Sequence, residues 1–574
     1  MKLLLVAINA KYIHSNLAVY SLRAYAEKFQ ESIEIGEYTI NNRSETILAD
    51  IYRRNPQVIA FSCYIWNWTT VQELLEELPK VMPGRDIWLG GPEVSYEGEK
   101  ILKKYPHLTG IMTGEGEQTF RELMQYYCLH DRELTDVSGL YLPGKGLTGP
   151  REAMDLDEIP FYYREPELFA NRILYYESSR GCPYRCSYCL SSIDKKVRLR
   201  SFDKVKAELD IFLKYKVPQV KFVDRTFNCN HEHALQIWNY LLENDNGITN
   251  FHFEISAHIL TQEELSVLEK MRPGYVQLEI GVQSVNPETI REIRRTTDLD
   301  RLKWAIRKIR EGRNIHIHLD LIAGLPYENY DSFVTSFNTV YGMEPNQLQL
   351  GFLKVLKGSY LHEKILDYGI YYRSIPPYEV LYSKWLSYKE VLRLKRVEEM
   401  VELYYNSCQF RHTLQILVRA FESPFRLYER LADFYEEKGY FVHSPSRVKK
   451  YEVLLEFACL TDPEKEALYR ELLTYDIYLR EKCKSRPSFA RDLAPYREEL
   501  RRRERDKKEH IDVFFYPVWD MERLQEVEMT ETAEAVEGIE KPRELPVFVH
   551  FSYEKRDPLS REAEVKYKFF ASES

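Results

Sequence analysis

Short apolar runs alternate with amphipathic stretches through roughly the first 360 residues, and they do so in two separate blocks. In the first block MKLLLVAI, PQVIAFSCYI, DIWLGG and LTGIMTGEG read as buried strands, while NLAVYSLRAYAEKF and TVQELLEELPKVM carry helical periodicity. Such alternation predicts a parallel sheet wound on both faces, because parallel neighbours need helical crossovers. Ligands of such sheets sit beyond the carboxyl ends of the strands. The loops there are NAKYIHSN, YIWNWT, GGPEVS and GEGEQTF.

A turn-rich stretch, LPGKGLTGP then DLDEIPFYY, separates the blocks and reads as a linker over 146–170. The second block holds six strand candidates: RILYYESSRG, PQVKFVDRTF, NFHFEISAHI, YVQLEIGVQS, IHIHLDLIAGLP and NQLQLGFLKVL. Six successive strand–helix units predict an incomplete barrel over 171–360, with chemistry on the loops after its strands. Longer helical patterns follow, and the basic run REELRRRERDKKEH, interleaved with acids, reads as a solvated helix face. The expected fold is therefore α/β. A Rossmann-like doubly wound sheet fills 1–145, a partial (β/α)6 barrel 171–360, and a mostly helical domain 361–574.

The totals exclude several classes. At 574 residues the chain is long enough for three or four domains with ample cores. Hydrophobic residues at 44% and charged residues at 29% describe a globular chain. No apolar stretch approaches the roughly 20 residues of a membrane span, and Met1–Ile8 reads as a strand rather than a signal peptide. The net charge of −9 gives no global attraction to nucleic acid, though a local basic groove stays open. The 43 tyrosines suit either a large flat ligand or core packing; Tyr404 and Tyr405 have the spacing of both. Nine scattered cysteines and no framework of pairs point to a reducing, cytoplasmic setting.

Three of those nine lie in RGCPYRCSYC, as Cys182, Cys186 and Cys189. A disulfide, zinc, an iron–sulfur cluster and chance compete for them. Structural zinc takes four protein ligands, and no second CxxC or HxxxH is present to complete a set. A four-iron cubane held by three thiolates keeps one iron open, which suits a loop following the first barrel strand.

That CxxxCxxC loop, so placed, resembles the radical S-adenosylmethionine (radical SAM) superfamily over about 171–360. The resemblance implies a 4Fe-4S cluster on the three cysteines, with SAM bound at the open iron and cleaved to a 5′-deoxyadenosyl radical. It also implies SAM contacts: Tyr188 near the adenine, Asp224 in VDRTFN, Glu254 in HFEISA, and Gln283 in GVQS. Arg295 would pair with the SAM carboxylate, and Gly324 in LIAGLPYE would let the backbone approach the base.

GEGEQTF and the DLDEIP linker resemble the cobalamin-binding branch of that superfamily. This implies a corrin over Ser62, Gly90, Gly91, Gly114, Glu115 and Gly116, with the GEGE carboxylates bonding amides or ribose. Cobalt-ligating histidines sit in Asp-x-His-x-x-Gly, whereas this chain has Tyr12, His14 and Leu17, so His14 is not expected on cobalt. The carboxyl-terminal region resembles an uncharacterised domain that trails such proteins in bacteria. The implied activity is methyl transfer to an unactivated carbon, fed by a reductant such as flavodoxin or ferredoxin. A radical rearrangement or ring contraction, or a non-catalytic sensor, are the other readings.

Overall fold

The computed structural model describes residues 1–163, 166–503, 509–524 and 546–569. Residues 504–508 of the basic run lie outside them; the helix before them, Arg497–Arg503, has no buried residue. The chain forms two compact units, Met1–Phe333 with Gly351–Tyr388, and Val334–Leu350 with Lys389–Ser574.

In the first unit a seven-stranded sheet is built from β1 (Leu3–Asn9), β2 (Ile33–Thr39), β3 (Val58–Ser62), β4 (Asp86–Gly90) and β5 (Gly110–Met112), with β6 (Leu140–Leu142) and β7 (Gly146–Leu147). Its order is β2-β1-β3-β4-β5-β6-β7. The first five strands are parallel, and β6 and β7 add antiparallel at the edge. The start of the expected linker is thus a hairpin arm: LPGKGL turns back on the sheet, with Gly144 and Gly146 at positive φ.

All seven residues of β1 are buried, as a strand covered on both faces requires. Leu4, Val6 and Ile8 face a core with Ile47, Leu74 and Leu78, and Leu3, Leu5 and Ala7 face another with Phe120 and Leu123. The order reverses between β1 and β3, which is where doubly wound sheets open a crevice at their carboxyl ends. Buried Asn67 ties those two strand ends together, donating to Ile8 O at 3.1 Å and Ser62 O at 2.8 Å.

The second sheet has six strands in the order β8-β11-β12-β13-β14-β15. They are β8 (Leu174–Tyr176), β11 (Gln219–Phe222), β12 (Asn250–Ile255), β13 (Val276–Gln283), β14 (His316–Ala323) and β15 (Gln347–Phe352). Pairing is parallel from β8 to β14. Between β8 and β11 lies a two-stranded antiparallel ladder, β9 (Ser179–Arg180) with β10 (Arg198–Leu199). A short antiparallel pair, β16 (Tyr371–Tyr372) and β17 (Val380–Tyr382), completes the unit.

In the second unit helices dominate, but it ends in a three-stranded antiparallel sheet of β18 (Glu509–Phe514), β19 (Val547–Arg556) and β20 (Ala563–Phe569). This qualifies the mostly helical expectation. Helix Glu466–Arg480 is buried on nearly every side and carries polar anchors inward. Asp476 accepts from His412 N and Thr413 N, capping helix Arg411–Leu417. Glu471 accepts from Phe515 N at 2.8 Å and Tyr516 N at 3.0 Å. Tyr404 is fully buried with its hydroxyl 2.5 Å from that of Tyr435, and so is core.

Candidate functional site

The cysteine loop is closed at its base by β9 and β10, with Arg180 directly opposite Arg198. Gly181 follows at φ +94°, and a Cβ there would stand 2.3 Å from Lys196 O, so only glycine lets the two arms of the loop meet. Cys182 N donates to Asp194 O at 3.1 Å across the loop, and Cys189 N donates to Cys186 O. Ser187 anchors the tip, its N–H on Ile293 O and its carbonyl accepting from Leu361 N. Cys182 and Cys186 are buried, Cys189 is half-buried, and all three thiols are free.

Among the described residues no group of three or more His, Cys, Asp or Glu is spaced to hold a single metal ion. A four-iron cubane attaches each thiolate to a different iron and needs no such convergence. The surroundings also suit an anionic cluster with a polar ligand. Arg295 Nη1 lies 3.8 Å from Cys186 Sγ, and its other amino group bonds Gly281 O. Arg295 Nε and Gln283 Oε1 are buried with no hydrogen-bond partner among the described residues. Gln283 adopts φ +71° where β13 changes register against β14, which turns it out of the strand alternation.

The structure brings Tyr188, Gln283 and Arg295 together near Cys186, and Tyr188 also packs on the cluster of Leu325, Leu353 and Val355. Gly324 ends β14 at φ +88°, where a Cβ would meet Val380 at 2.7 Å. Asp224 is placed differently from the expectation. It is 1% exposed and accepts from Ser178 N at 3.1 Å, Ser178 Oγ at 2.6 Å and Ser179 Oγ at 2.6 Å. Its oxygens therefore shape the strand leading into the cysteine loop rather than face a ligand.

Beyond Glu254, the concave face of the barrel carries further charged residues whose signal lies in the strand pattern. In NFHFEI, VQLEIGVQ and HIHLDLIA buried residues alternate with half-buried ones, the buried set apolar and the half-buried set mostly polar, Ile322 being an exception. A strand buried on both faces reads as a continuous apolar run, so alternation marks one polar face. That face carries Lys221, His252, Glu254, Glu279, His318 and Asp320. Lys221 and His252 each lie 3.0 Å from Glu279, and His318 lies 3.1 Å from Asp320. Burial raises the Glu279 carboxyl, but the hydrogen bond from His252 and the charge of Lys221 prevail and hold it at about 2.

Among the described residues, the ion-pair partner of Glu254 is Lys221, at 3.9 Å. Burial first, then the Glu279 charge, push its carboxyl up to about 7 from 4.5, against Lys221 and Arg225 and with Asp320 adding to the rise. A raised acid binds a proton in the folded state that the unfolded chain has already released, so this residue costs stability as pH rises from 4.5 through 7. Glu254→Gln is expected to be more stable than the parent at pH 8, by about 2–3 kcal/mol, with the gap closing below pH 4.5. Denaturation midpoints at the two pH values check this.

In the front sheet Ser62 and Gly90 end β3 and β4, side by side in register. Gly91 follows at φ +109°, and a Cβ there would stand 2.5 Å from Cys63 O. Gly114 has φ +73° with open space where a Cβ would be, and Gly116 precedes helix Glu117–Leu129, close to Leu22. Tyr64 and Trp66 stack at 4.3 Å beside these loops. A cavity of about 230 Å³ adjoins them, lined by Leu17, Tyr64, Gly116, Glu177 and Arg180 among others. Glu115 lines the same cavity, its carboxylate held by Arg198 and accepting from Met154 N at 3.3 Å. His14 hydrogen-bonds the Tyr175 hydroxyl through Nδ1, and burial followed by the charges of Lys11 and Lys221 lowers its pKa.

Comparison with known proteins bears on both halves of this site. The radical SAM superfamily matches residues 176–340, the B12 binding domain matches 3–124, and a family described as a protein of unknown function (DUF4080) matches 366–541. The chain thus carries a radical SAM domain preceded by a B12 binding domain. A cobalamin-dependent radical SAM methyltransferase, TokK of Streptomyces tokunonensis, is 24% identical over 348 residues, covering 56% of this chain and 50% of that protein. The chain spans about half the length of the curated relatives it matches.

Two solved structures share the fold. The radical S-adenosylmethionine methyltransferase TsrM of Kitasatospora setae, with cobalamin and a 4Fe-4S cluster bound, superposes with a TM-score of 0.53 at 14% identity, over 64% of this chain and 75% of that one. The cobalamin-dependent S-adenosylmethionine radical enzyme OxsB, with aqua-cobalamin bound, gives 0.51 at 15% identity, over 94% of this chain and 79% of that one. Among the described residues no helix is long and apolar enough to cross a membrane.

Proposed function

We propose that this chain is a cobalamin-dependent radical SAM enzyme that transfers a methyl group to an unactivated carbon. The observation that carries the reading is one compact unit containing a B12-binding sheet and the free-thiol loop of a radical SAM barrel, joined by ion pairs. When bound, a 4Fe-4S cluster supplies the electron that cleaves SAM, and cobalamin supplies the methyl group.

The protein's part is to hold, orient and shield. Cys182, Cys186 and Cys189 would hold the cluster. Arg295 and Gln283, with orphaned polar atoms beside Cys186, would take the polar head of SAM, and Tyr188 and Gly324 would border its adenine. Glu254, the carboxyl with least compensation on the concave face, would meet a donor of SAM or the substrate. Ser62, Gly90, Gly91, Gly114 and Gly116 would let the corrin approach the backbone along the carboxyl ends of β3, β4 and β5. The departure of Tyr12, His14 and Leu17 from the Asp-x-His-x-x-Gly pattern supports a cobalt without a histidine ligand. A small reductant such as flavodoxin or ferredoxin would deliver electrons, and the absence of a membrane-spanning helix among the described residues fits such a partner.

The test is anaerobic incubation of cluster- and cobalamin-loaded protein with a chemical reductant and SAM labelled in its methyl group with deuterium. The reading expects 5′-deoxyadenosine together with label transferred to cobalamin. Deoxyadenosine without label on cobalamin would favour a rearrangement or ring contraction. Neither product would favour a sensor.

A further inference from the structure

Like charges placed directly opposite on a two-stranded ladder are destabilising, yet β9 and β10 set Arg180 against Arg198 at the base of the cysteine loop. What compensates them comes from the front sheet. Glu115 takes both terminal nitrogens, Nη1 and Nη2, of Arg198 and lies 3.6 Å from Arg180 Nη1. Glu117 takes Arg180 through Nη2 at 2.5 Å and Nη1 at 3.2 Å, and is itself fixed by Ser21 Oγ at 3.0 Å. Their side chains are 23% and 6% exposed, and those of Arg180 and Arg198 15% and 10%, so solvent screens these pairs little.

The chain of contacts continues to a cysteine. Arg198 Nη2 lies 3.1 Å from Asp194 Oδ2, and the carbonyl of the same Asp194 accepts from Cys182 N. On the other arm Arg180 is separated from Cys182 by Gly181 alone, and Glu177 holds its Nε at 2.8 Å. Arg198 Nη1 also donates to Met154 O at 2.7 Å, adding the linker to the same node.

We infer that Glu115 and Glu117 of the GEGE loop are positioning residues, a charged brace through Arg198 and Arg180 that sets the cysteine loop against the B12-binding sheet. Buried ion pairs add little net stability compared with apolar packing; their best-attested use is to fix register. Register is what a reaction spanning two cofactors in two sheets demands, so the inference rests on the proposed function for its purpose. Its geometry does not.

The test is a double-mutant cycle with Glu115→Gln and Arg198→Met, in full-length protein carrying the cluster. One readout is hydrogen–deuterium exchange of the 182–194 amides, and the other is the electron paramagnetic resonance spectrum of the reduced cluster. Each single variant should speed exchange in that loop about tenfold and alter the cluster spectrum, and the double variant should be no worse than either single one. Arg198→Lys, which keeps the charge and loses the fork, should fall between parent and Arg198→Met. Additive effects, or a loop and spectrum unchanged in both singles and in Arg198→Lys, would overturn the brace. Neither readout requires methyl transfer. An enzyme that transfers methyl groups with an unresponsive loop would retain its function and lose the brace, and the converse result would do the reverse.

Discussion

Replacing Cys182, Cys186 and Cys189 together by alanine is expected to remove bound iron and sulfide from anaerobically loaded protein and to lower 5′-deoxyadenosine formation by at least about a thousandfold. The fold should survive. All three thiols are free, so no cross-link is lost, and the loop keeps its closure through β9, β10 and the glycine at 181. The other six cysteines form no second CxxxCxxC run in the sequence. Iron analysis, product analysis and a far-ultraviolet circular dichroism spectrum separate loss of the cluster from loss of the protein. An unfolded variant would show that the thiols serve packing.

Asp224→Ala is expected to cost about 3 kcal/mol of stability, through buried donors left without an acceptor in a site that water does not reach. Ser178 Oγ retains His233 Nε2 at 3.0 Å, which limits the loss, but Ser178 N and Ser179 Oγ keep no acceptor. Because Ser178 and Ser179 lead directly to Arg180 and the cysteine loop, the variant should also hold less iron than the parent at equal cluster loading. Asp224→Asn should recover only part of the stability, since its amide presents a donor to donors. Denaturation midpoints and iron content check both. Normal stability with a raised KM for SAM would instead return Asp224 to the ligand-facing role.

Much of this was legible in the sequence because strand–helix alternation and a three-cysteine loop depend on local order. Strands expected in MKLLLVAI and PQVIAFSCYI appear as β1 and β3, and the six strand candidates of the second block become the six-stranded sheet. Side-chain direction was less legible. Asp224 sits at a strand end where a ligand contact is plausible, and only the fold reveals the two serines that occupy it. Glu115 was read with the glycines around it, whereas its partner Arg198 lies 83 residues away. The charged concave face was visible in the alternation of HIHLDLIA but was read as a strand without its phase. The short apolar segments VFFYPVW and LPVFVHFSYE near the end of the sequence mark the closing antiparallel sheet, but their pairing does not show locally, since β18 joins β19 across residues 515–546.

The central claim is that one unit holds a SAM-cleaving cluster and a cobalamin without a protein histidine on cobalt. The most direct measurement is electron paramagnetic resonance of protein loaded anaerobically with iron, sulfide and cobalamin, recorded before and after adding SAM. The account predicts a cob(II)alamin signal free of nitrogen splitting, beside a reduced-cluster signal that changes when SAM is added. A cluster signal with no protein-bound cobalt would contradict it, and so would nitrogen splitting that places a protein histidine on the cobalt.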